Sequence, residues 1–217
     1  MFTWDDYILK DYSIRFGPEA LVLDVGCGYG EQMKELIGRG SSVVGVDLDT
    51  SSLARCRAQG LNVLRARAEE LPVKDSSLDG ILCKVVLPYT REEEAIREFS
   101  RLLKPGGRCY LQCQGAGYFL KYLLLSTSLK ERFYALRTIV NTWLWLLTGL
   151  RLPGFLGDSI YQSRRRLAKY FRANGLTLLE DTPSPRFLKL PVFTYQLIEK
   201  LPHNLENDPH GGAANDL

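Results

Sequence analysis

The chain has 217 residues, of which 45% are hydrophobic and 24% are charged, and its formal net charge is +3. This length and composition predict one globular domain and exclude a chain that is disordered throughout, because enough apolar side chains are present to bury a core. The small net charge gives no electrostatic reason to expect a nucleic acid or an anionic membrane as a partner.

Neither a secretory leader nor a membrane span is predicted. The first residues, MFTWDDYILKDYS, carry aspartates where a signal peptide has a basic start and a continuous apolar core. The most apolar later run, 139–150, contains Asn141 and is shorter than the roughly 18 apolar residues that a spanning helix needs. A cytoplasmic location is therefore expected.

The cysteines fall mostly in apolar, strand-like runs and are interpreted as reduced core thiols. They are Cys27, Cys56, Cys83, Cys109 and Cys113. Cys109 and Cys113 share one strand face, which leaves a metal or redox pair as an alternative. No metal site is predicted, because no histidine or third cysteine lies nearby in the sequence.

The first half of the chain alternates short apolar runs with helical patterns. Strands are predicted at 21–25, 42–47, 62–66, 78–87 and 108–114, with helices at 30–40, 50–60 and 91–103. In the first helix, Met33, Leu36 and Ile37 are expected to face inward. Apolar runs that alternate with helices are typical of a parallel sheet covered by helices on both faces.

This rhythm changes after Gly117. Residues 118–160 are rich in Leu, Phe, Tyr and Trp at helical intervals, which predicts a helical insertion after the fifth strand, at about 117–160. A helix near 163–175 and two strands at 176–181 and 193–200 are expected to follow. Residues 1–203 are predicted to form the domain, and the polar residues 204–217 a mobile tail.

The stretch VLDVGCGYG places three alternating glycines directly after the first strand. Gly26, Gly28 and Gly30 are two residues apart, and Glu31 stands where a dinucleotide fingerprint has its third glycine, so an NAD site is not predicted. Alternating glycines still form a tight turn whose N–H groups face a ligand. Asp47 ends the second strand, where a carboxylate accepts hydrogen bonds from ribose hydroxyls. A ribose-bearing ligand is therefore predicted.

Four motifs in order carry a family resemblance. VLDVGCGYG, GVDLD, RAEELPVKDSSLDGILCKVVL and LLKPGG resemble the motifs of the class I S-adenosylmethionine-dependent methyltransferases, in the type 11-like branch that acts mostly on small molecules. The resemblance covers residues 20–114 and the late helix and strands. It implies a doubly wound, Rossmann-like α/β sheet, mostly parallel with an antiparallel last strand. It also implies S-adenosylmethionine as cofactor and S-adenosylhomocysteine as product.

The resemblance further implies which residues hold the cofactor. The glycine turn lies against the methionine half, Asp24 orders the turn and the ammonium group, and Asp47 binds the ribose. Leu48 is expected to pack on the adenine, and the segment that follows the third strand lines the adenine edge. The residues expected at the cofactor are Asp24, Gly26, Cys27, Gly28, Gly30, Asp47, Leu48, Ala68, Glu69 and Lys84, with Val85 and Val86 beside the methyl donor.

Two departures from the family pattern affect the site. Arg67 stands where an acid is common, so adenine recognition is expected to rest on backbone and on Glu69. The fourth strand is followed by LPYT rather than by a histidine-bearing segment. No general base is identified, and the candidates for catalysis are Tyr89, Tyr118 and Asp158. His203 and His210 are expected to take no part in the chemistry.

The expected function is methyl transfer from S-adenosylmethionine to the O, N or C atom of a small, fairly apolar or aromatic acceptor, with the insertion as a substrate lid. Most of the lid's apolar residues are expected to pack inward. They are Phe119, Tyr122, Leu123, Phe133, Leu136, Trp143, Leu146 and Leu147.

The sequence leaves two alternative functions open and does not favour a third. A cofactor-binding sensor or partner protein without catalysis remains open because no base is visible. A membrane-associated enzyme with a lipid-like acceptor remains open because basic residues stand among the aromatic ones of the lid. Nucleic acid is not favoured, since the basic run 164–172 predicts a solvated helix face with Leu167, Tyr170 and Phe171 turned inward.

Overall fold

The structure is a computed structural model that describes residues 16–152, 154–182 and 185–202. Its strands are β1 (Leu21–Val25), β2 (Ser42–Asp47), β3 (Val63–Arg65), β4 (Leu78–Lys84), β5 (Leu103–Gln114), β6 (Leu176–Thr182), β7 (Arg186–Phe187), β8 (Leu190–Pro191) and β9 (Phe193–Lys200). Its α-helices are α1 (Glu31–Gly38), α2 (Thr50–Ala58), α3 (Glu92–Leu102), α4 (Ala116–Leu125), α5 (Leu129–Thr148) and α6 (Arg164–Ala173). Short 3₁₀ helices occupy Leu87–Tyr89 and Gly154–Gly157.

Seven of the strands form one sheet in the order β3-β2-β1-β4-β5-β9-β6. Strands β1 to β5 are parallel, and β9, the last strand in the chain, runs antiparallel between β5 and β6. The predicted doubly wound sheet with an antiparallel last strand is therefore confirmed. Within the described ranges, no helix is both long enough and apolar enough to cross a membrane.

Two clusters of buried side chains cover the two faces of the sheet. One contains Phe99, Leu167 and Phe171 from α3 and α6, and the other contains Met33 and Leu36 from α1. Leu167, Tyr170 and Phe171 are buried as predicted, and so are all five cysteines. The inward placement of Ile37 is wrong, because this side chain is 44% exposed at the outer edge of α1.

Strand β4 ends three residues earlier than predicted. Val85 has φ 58°, a left-handed backbone that a strand does not accommodate, and Leu87–Tyr89 turn into a 3₁₀ helix. Val85 nevertheless stays fixed, since its N–H donates to the Gln112 carbonyl at 2.7 Å. The apolar run thus continues past the strand into a turn at the carboxyl edge of the sheet.

Helices α4 and α5 occupy the predicted insertion. The short hairpin β7–β8, which has two residues in each strand, packs beside α4. Strands this short show no alternating pattern of apolar and polar residues, so the sequence did not predict them. The domain limits of 1–203, with an insertion at about 117–160 and a tail at 204–217, stay a prediction. Residues 203–217, with both histidines, lie outside the described residues, as do residues 1–15.

Helix α5 reverses the expected distribution of polar and apolar side chains. Its inner face is anchored by hydrogen bonds: Thr138 to the Ser159 hydroxyl at 2.8 Å, and the Asn141 amide to the Ser159 carbonyl at 2.8 Å. Its outer face carries the outer stripe, composed of Leu129, Phe133, Leu136, Val140, Trp143 and Leu147, all 47–80% exposed. The expectation that most apolar residues of the lid pack inward is wrong for Phe133, Leu136, Trp143, Leu146 and Leu147.

Candidate active site

The predicted cofactor residues meet at the carboxyl ends of β1, β2 and β4. Strand order reverses between β1 and β4, because β2 follows β1 on one side of it and β4 lies on the other. Crevices at such a reversal are where open α/β sheets bind their ligands. The glycine turn, Asp47 and Lys84 therefore border one crevice.

The glycine turn has the backbone that its sequence predicts. Gly26, Gly28 and Gly30 have φ values of 74°, 50° and 78°, which side chains with a Cβ rarely adopt. The N–H groups of Gly26 and Cys27 donate to the Val46 carbonyl at 2.7 and 3.0 Å, which fastens the turn to β2. A Cβ on Gly26 would lie 2.1 Å from Val86, whereas a Cβ on Gly28 would enter open space. Gly28 thus presents bare backbone to the crevice.

Asp47 joins the end of β2 to this turn. One carboxylate oxygen accepts the Gly28 N–H at 2.9 Å, and the other accepts the Asp49 N–H at 2.9 Å. Each oxygen of a carboxylate has room for a second hydrogen bond. The two backbone bonds therefore fix the direction of the carboxylate and leave acceptor capacity on both oxygens.

Asp24 is the most unusual residue of the site. It is 3% exposed, and its Oδ2 atom has no hydrogen-bond partner among the residues that the structure describes. Burial raises the pKa of its carboxyl to about 7, with Lys84 opposing the shift and Asp47 adding to it. A buried carboxylate oxygen without a partner is costly, and native proteins keep such a group for a reason.

Lys84 stands at the end of β4, near Asp24. Its ammonium group donates to Gln32 Oε1, and burial lowers its pKa while Asp24 opposes that shift. The next residue, Val85, combines a β-branched side chain with positive φ. Backbone strain of this kind clusters at functional sites.

The predicted adenine residues differ in what they offer to a ligand. Leu48 is 50% exposed just past β2, and Ala68 is buried. The Glu69 carboxylate already accepts the Arg91 N–H at 2.9 Å and contacts Arg67 at 3.3 Å. These bonds lower its pKa although burial acts in the opposite direction. Glu69 therefore ties its segment to the start of α3.

The catalytic candidates lie around Tyr134, a residue that the sequence analysis did not predict. The Tyr89 and Tyr134 hydroxyls are 2.6 Å apart, and the Tyr118 ring stacks on Tyr122 with centroids 4.6 Å apart. Asp158 forms an ion pair with Arg137 at 2.8 Å. We call Tyr89, Tyr118, Tyr122 and Tyr134 the tyrosine cluster.

The phenols of Tyr118 and Tyr134 are poor bases. Burial raises the pKa of Tyr118, helped by its hydrogen bond to Tyr122, and burial together with Tyr89 raises the pKa of Tyr134. A phenol whose pKa is raised stays protonated at neutral pH and donates a hydrogen bond rather than accepting a proton.

Two glutamines of β5 complete the crevice, and the sequence reasoning missed them. Gln112 Nε2 and Gln114 Oε1 are buried and make no hydrogen bond within the described ranges. Asp24 is in register with Leu82, and Leu82 with Tyr110, so the alternation along β5 puts both glutamines on the same sheet face as Asp24. That alternation, visible in RCYLQCQ, was the available signal.

Comparison with known proteins connects this geometry to a family. Residues 23–111 match the family described as "Methyltransferase domain". The chain is 34% identical over 113 residues to the biotin biosynthesis bifunctional protein BioHC of Cellvibrio japonicus, covering 50% of this chain and 22% of that protein. It is 32% identical over 117 residues to the ubiquinone/menaquinone biosynthesis C-methyltransferase UbiE of Hahella chejuensis, covering 48% and 46%. The chain thus spans less than half the length of these relatives.

The fold also matches solved structures. An S-adenosylmethionine-dependent methyltransferase from Mesorhizobium loti superposes with a TM-score of 0.62 at 18% identity, covering 84% of this chain and 92% of that one. Residues 23–111 therefore match a methyltransferase domain, and the observed fold is the one implied by the resemblance to the class I S-adenosylmethionine-dependent methyltransferases.

Proposed function

We propose that this protein transfers the methyl group of S-adenosylmethionine to a small acceptor held beside β4 and β5. The observation that carries the proposal is the buried Asp24 oxygen, which has no partner among the described residues and lies next to a glycine turn with open backbone. The ammonium group of the cofactor supplies the charge and the donors that this oxygen lacks.

The remaining residues fit the rest of the cofactor. Asp47 keeps acceptor capacity for the two ribose hydroxyls, and Leu48 offers an exposed apolar surface to the adenine. Because the Glu69 carboxylate is engaged by Arg91, we assign the adenine contact at this segment to the backbone around Ala68. Lys84 and Val86 border the side from which the acceptor approaches.

The cofactor supplies a methyl group on a positively charged sulfur. Transfer then requires an acceptor atom in line with the methyl and sulfur, so the main task of the protein is to orient and to exclude water. The fixed turn at Val85, held by Gln112, gives the acceptor side a rigid wall.

The acceptor that suits this wall has an aromatic or apolar body and at least one polar group. The tyrosine cluster and Phe193, whose ring lies 5.5 Å from that of Tyr118, supply the apolar contact surface. Gln112 and Gln114 supply one open donor and one open acceptor. Since the outer stripe of α5 faces away from the site, the apolar character of the lid no longer bears on the acceptor.

The chemistry of the nearby groups favours an acceptor atom that is already nucleophilic. The buried phenols are held protonated, and Asp158 is engaged by Arg137. An amine or an activated carbon needs little help from a base, whereas an alcohol does. We therefore propose N- or C-methylation, in the cytoplasm, of a small-molecule acceptor.

Replacing Asp47 tests the placement of the ribose. We expect Asp47→Ala to weaken S-adenosylhomocysteine binding by roughly 10- to 30-fold, the worth of a charge-assisted hydrogen bond. The measurement is titration calorimetry on folded protein at pH 7.5. As a control, Asp75→Ala removes an exposed carboxylate that pairs with Arg101 and should leave the affinity unchanged. Equal affinities of the Asp47 variant and the native protein would refute the assignment.

Replacing Gln112 tests whether its buried amide is kept for binding a ligand or contributes to the stability of the fold. Gln112→Met removes a buried donor that has no partner in the described part of the chain, so we expect the free energy of unfolding to rise by about 1 kcal/mol. S-adenosylhomocysteine affinity should stay within about twofold, because Gln112 lies on the acceptor side. Gln162→Met is the matched control: Gln162 is equally buried but bonded to Arg166 at 2.8 Å, and its loss should destabilise. A less stable Gln112→Met variant would show that the amide supports the fold.

The two rival functions give different results. A sensor without catalysis would bind S-adenosylhomocysteine and show no methylation across a panel of amines, phenols and enolisable compounds with labelled methyl donor. A membrane-associated enzyme would float with liposomes at low salt, whereas the proposed small-molecule enzyme would not.

A further inference from the structure

The outer stripe of α5 is an apolar surface that the proposed function does not use. Its six side chains are 47–80% exposed, which corresponds to roughly 800 Å² of surface. That area matches what one partner contributes to an interface of standard size, and it exceeds the largest apolar patch of most monomers.

The residues of the outer stripe lie in a line along one side of α5. Its members are spaced 4, 3, 4, 3 and 4 residues apart, the spacing of the a and d positions of a coiled coil. The helix has 20 residues and is about 30 Å long. The inner hydrogen bonds of Thr138 and Asn141 hold the helix so that this seam points outward.

We propose that the outer stripe pairs with the outer stripe of a second copy of this chain, antiparallel about a twofold axis. The spacing reads the same in both directions, so an antiparallel pair brings every member opposite another member. The pairs, each formed twice, are Leu129 with the partner's Leu147, Phe133 with the partner's Trp143, and Leu136 with the partner's Val140. The axis passes between Leu136 and Val140, as an isologous interface requires.

The positions of the charged residues on α5 also favour antiparallel pairing. Its exposed charged residues, Lys130, Glu131 and Arg132, lie in the first turn, and no charged residue follows Arg137, which is buried against Asp158. An antiparallel partner places Lys130 beside the carbonyl end of the facing helix, where a cation is favoured. A membrane-surface helix is rich in Lys and Arg on its polar face, whereas beyond its first turn α5 has only the buried Arg137.

Sedimentation velocity on the full-length protein between about 1 and 100 µM tests the proposal. We expect a dimer at micromolar concentration, and we expect Leu136→Glu combined with Val140→Glu to raise the dissociation constant at least 100-fold, because four carboxylates then meet at the axis. Both side chains are about half exposed, so the variant should fold. Ile37→Glu, an equally exposed apolar position on α1, is the control and should remain dimeric.

A distance measurement tests the direction of pairing. Spin labels on Leu129→Cys should lie roughly 30 Å apart in an antiparallel pair and near 10 Å apart in a parallel one. A native chain that stays monomeric at 100 µM would overturn the proposal, as would a dimer that survives both glutamates. Monomers that float with vesicles of phosphatidylcholine and phosphatidylglycerol would assign the stripe to a membrane instead.

Discussion

S-adenosylhomocysteine should bind about 50-fold more tightly at pH 7 than at pH 5. The pKa of Asp24 is about 7 in the ligand-free protein, and in the proposed function the ammonium group of the ligand binds the ionised carboxylate. Protonation therefore competes with the ligand, and the affinity should fall about fivefold from pH 7 to pH 6 and about tenfold from pH 6 to pH 5. Above pH 7 the affinity should level off. Calorimetry at pH 5, 6, 7 and 7.5 measures this profile.

Two variants test whether the protonation of Asp24 causes this pH dependence. Asp24→Asn should bind weakly at every pH, with a flat profile. Lys84→Met should shift the midpoint to higher pH, because Lys84 favours the ionised form of Asp24. A native profile that is flat from pH 5 to 7 would show that Asp24 does not meet the ammonium group.

The same shift affects the stability of the ligand-free protein. The pKa of Asp24 is raised on folding, so the unfolded chain releases this proton first as the pH increases from about 4 to 7. The contribution of Asp24 to the free energy of unfolding is therefore greatest below pH 4 and falls as the pH approaches 7. At pH 7.5, ligand-free Asp24→Asn should be at least as stable as the native protein.

Breaking the ion pair between Glu92 and Arg166 should cost about 3 to 5 kcal/mol, because it leaves a buried positive charge without its counter-charge. The two side chains are 2% and 9% exposed. The guanidinium also donates to the Tyr161 carbonyl at 2.7 Å and lies 4.7 Å from the Trp145 ring. We expect Glu92→Gln to lower the melting temperature by roughly 10 °C. Denaturant unfolding gives the free energy.

Neighbouring residues provide the controls. Glu94, in the same turn of α3, pairs with Arg91 at the surface, so Glu94→Gln should cost less than about 1 kcal/mol. Replacing both Glu92 and Arg166 by Met should recover most of the loss, since an apolar pair of similar volume is tolerated. Equal stabilities of the Glu92 and Glu94 variants would contradict this account.

The sheet could be predicted from the sequence because its strands and helix ends are marked by short local patterns. Apolar runs marked β1, β2 and β5, and glycines ended α1 and α2. The end of β4 was missed because Val85 is held in a strained turn by Gln112, a contact from another strand. The prediction that residues 164–172 form a solvated face is wrong for Arg166, which is largely buried in an ion pair with Glu92. The sequence did not reveal this pair because its partners are 74 residues apart.

The candidate site was predictable where it depends on backbone. The three glycines and Asp47 lie where the motif placed them, and the turn has the positive φ values it requires. The partners of side chains were not predictable. Glu69 is engaged by Arg91, and Asp158 by Arg137, because distant segments meet only in the folded chain.

Helix α5 holds its place through Thr138 and Asn141 on one side and shows apolar side chains on the other. Substitutions on the exposed side therefore leave the bonds that keep the helix in place untouched. Those residues can therefore be exchanged while the fold and the crevice persist. Changes at Thr138, Asn141 or Ser159 carry a different consequence, because they loosen the attachment of the helix that places Tyr134 beside Tyr89.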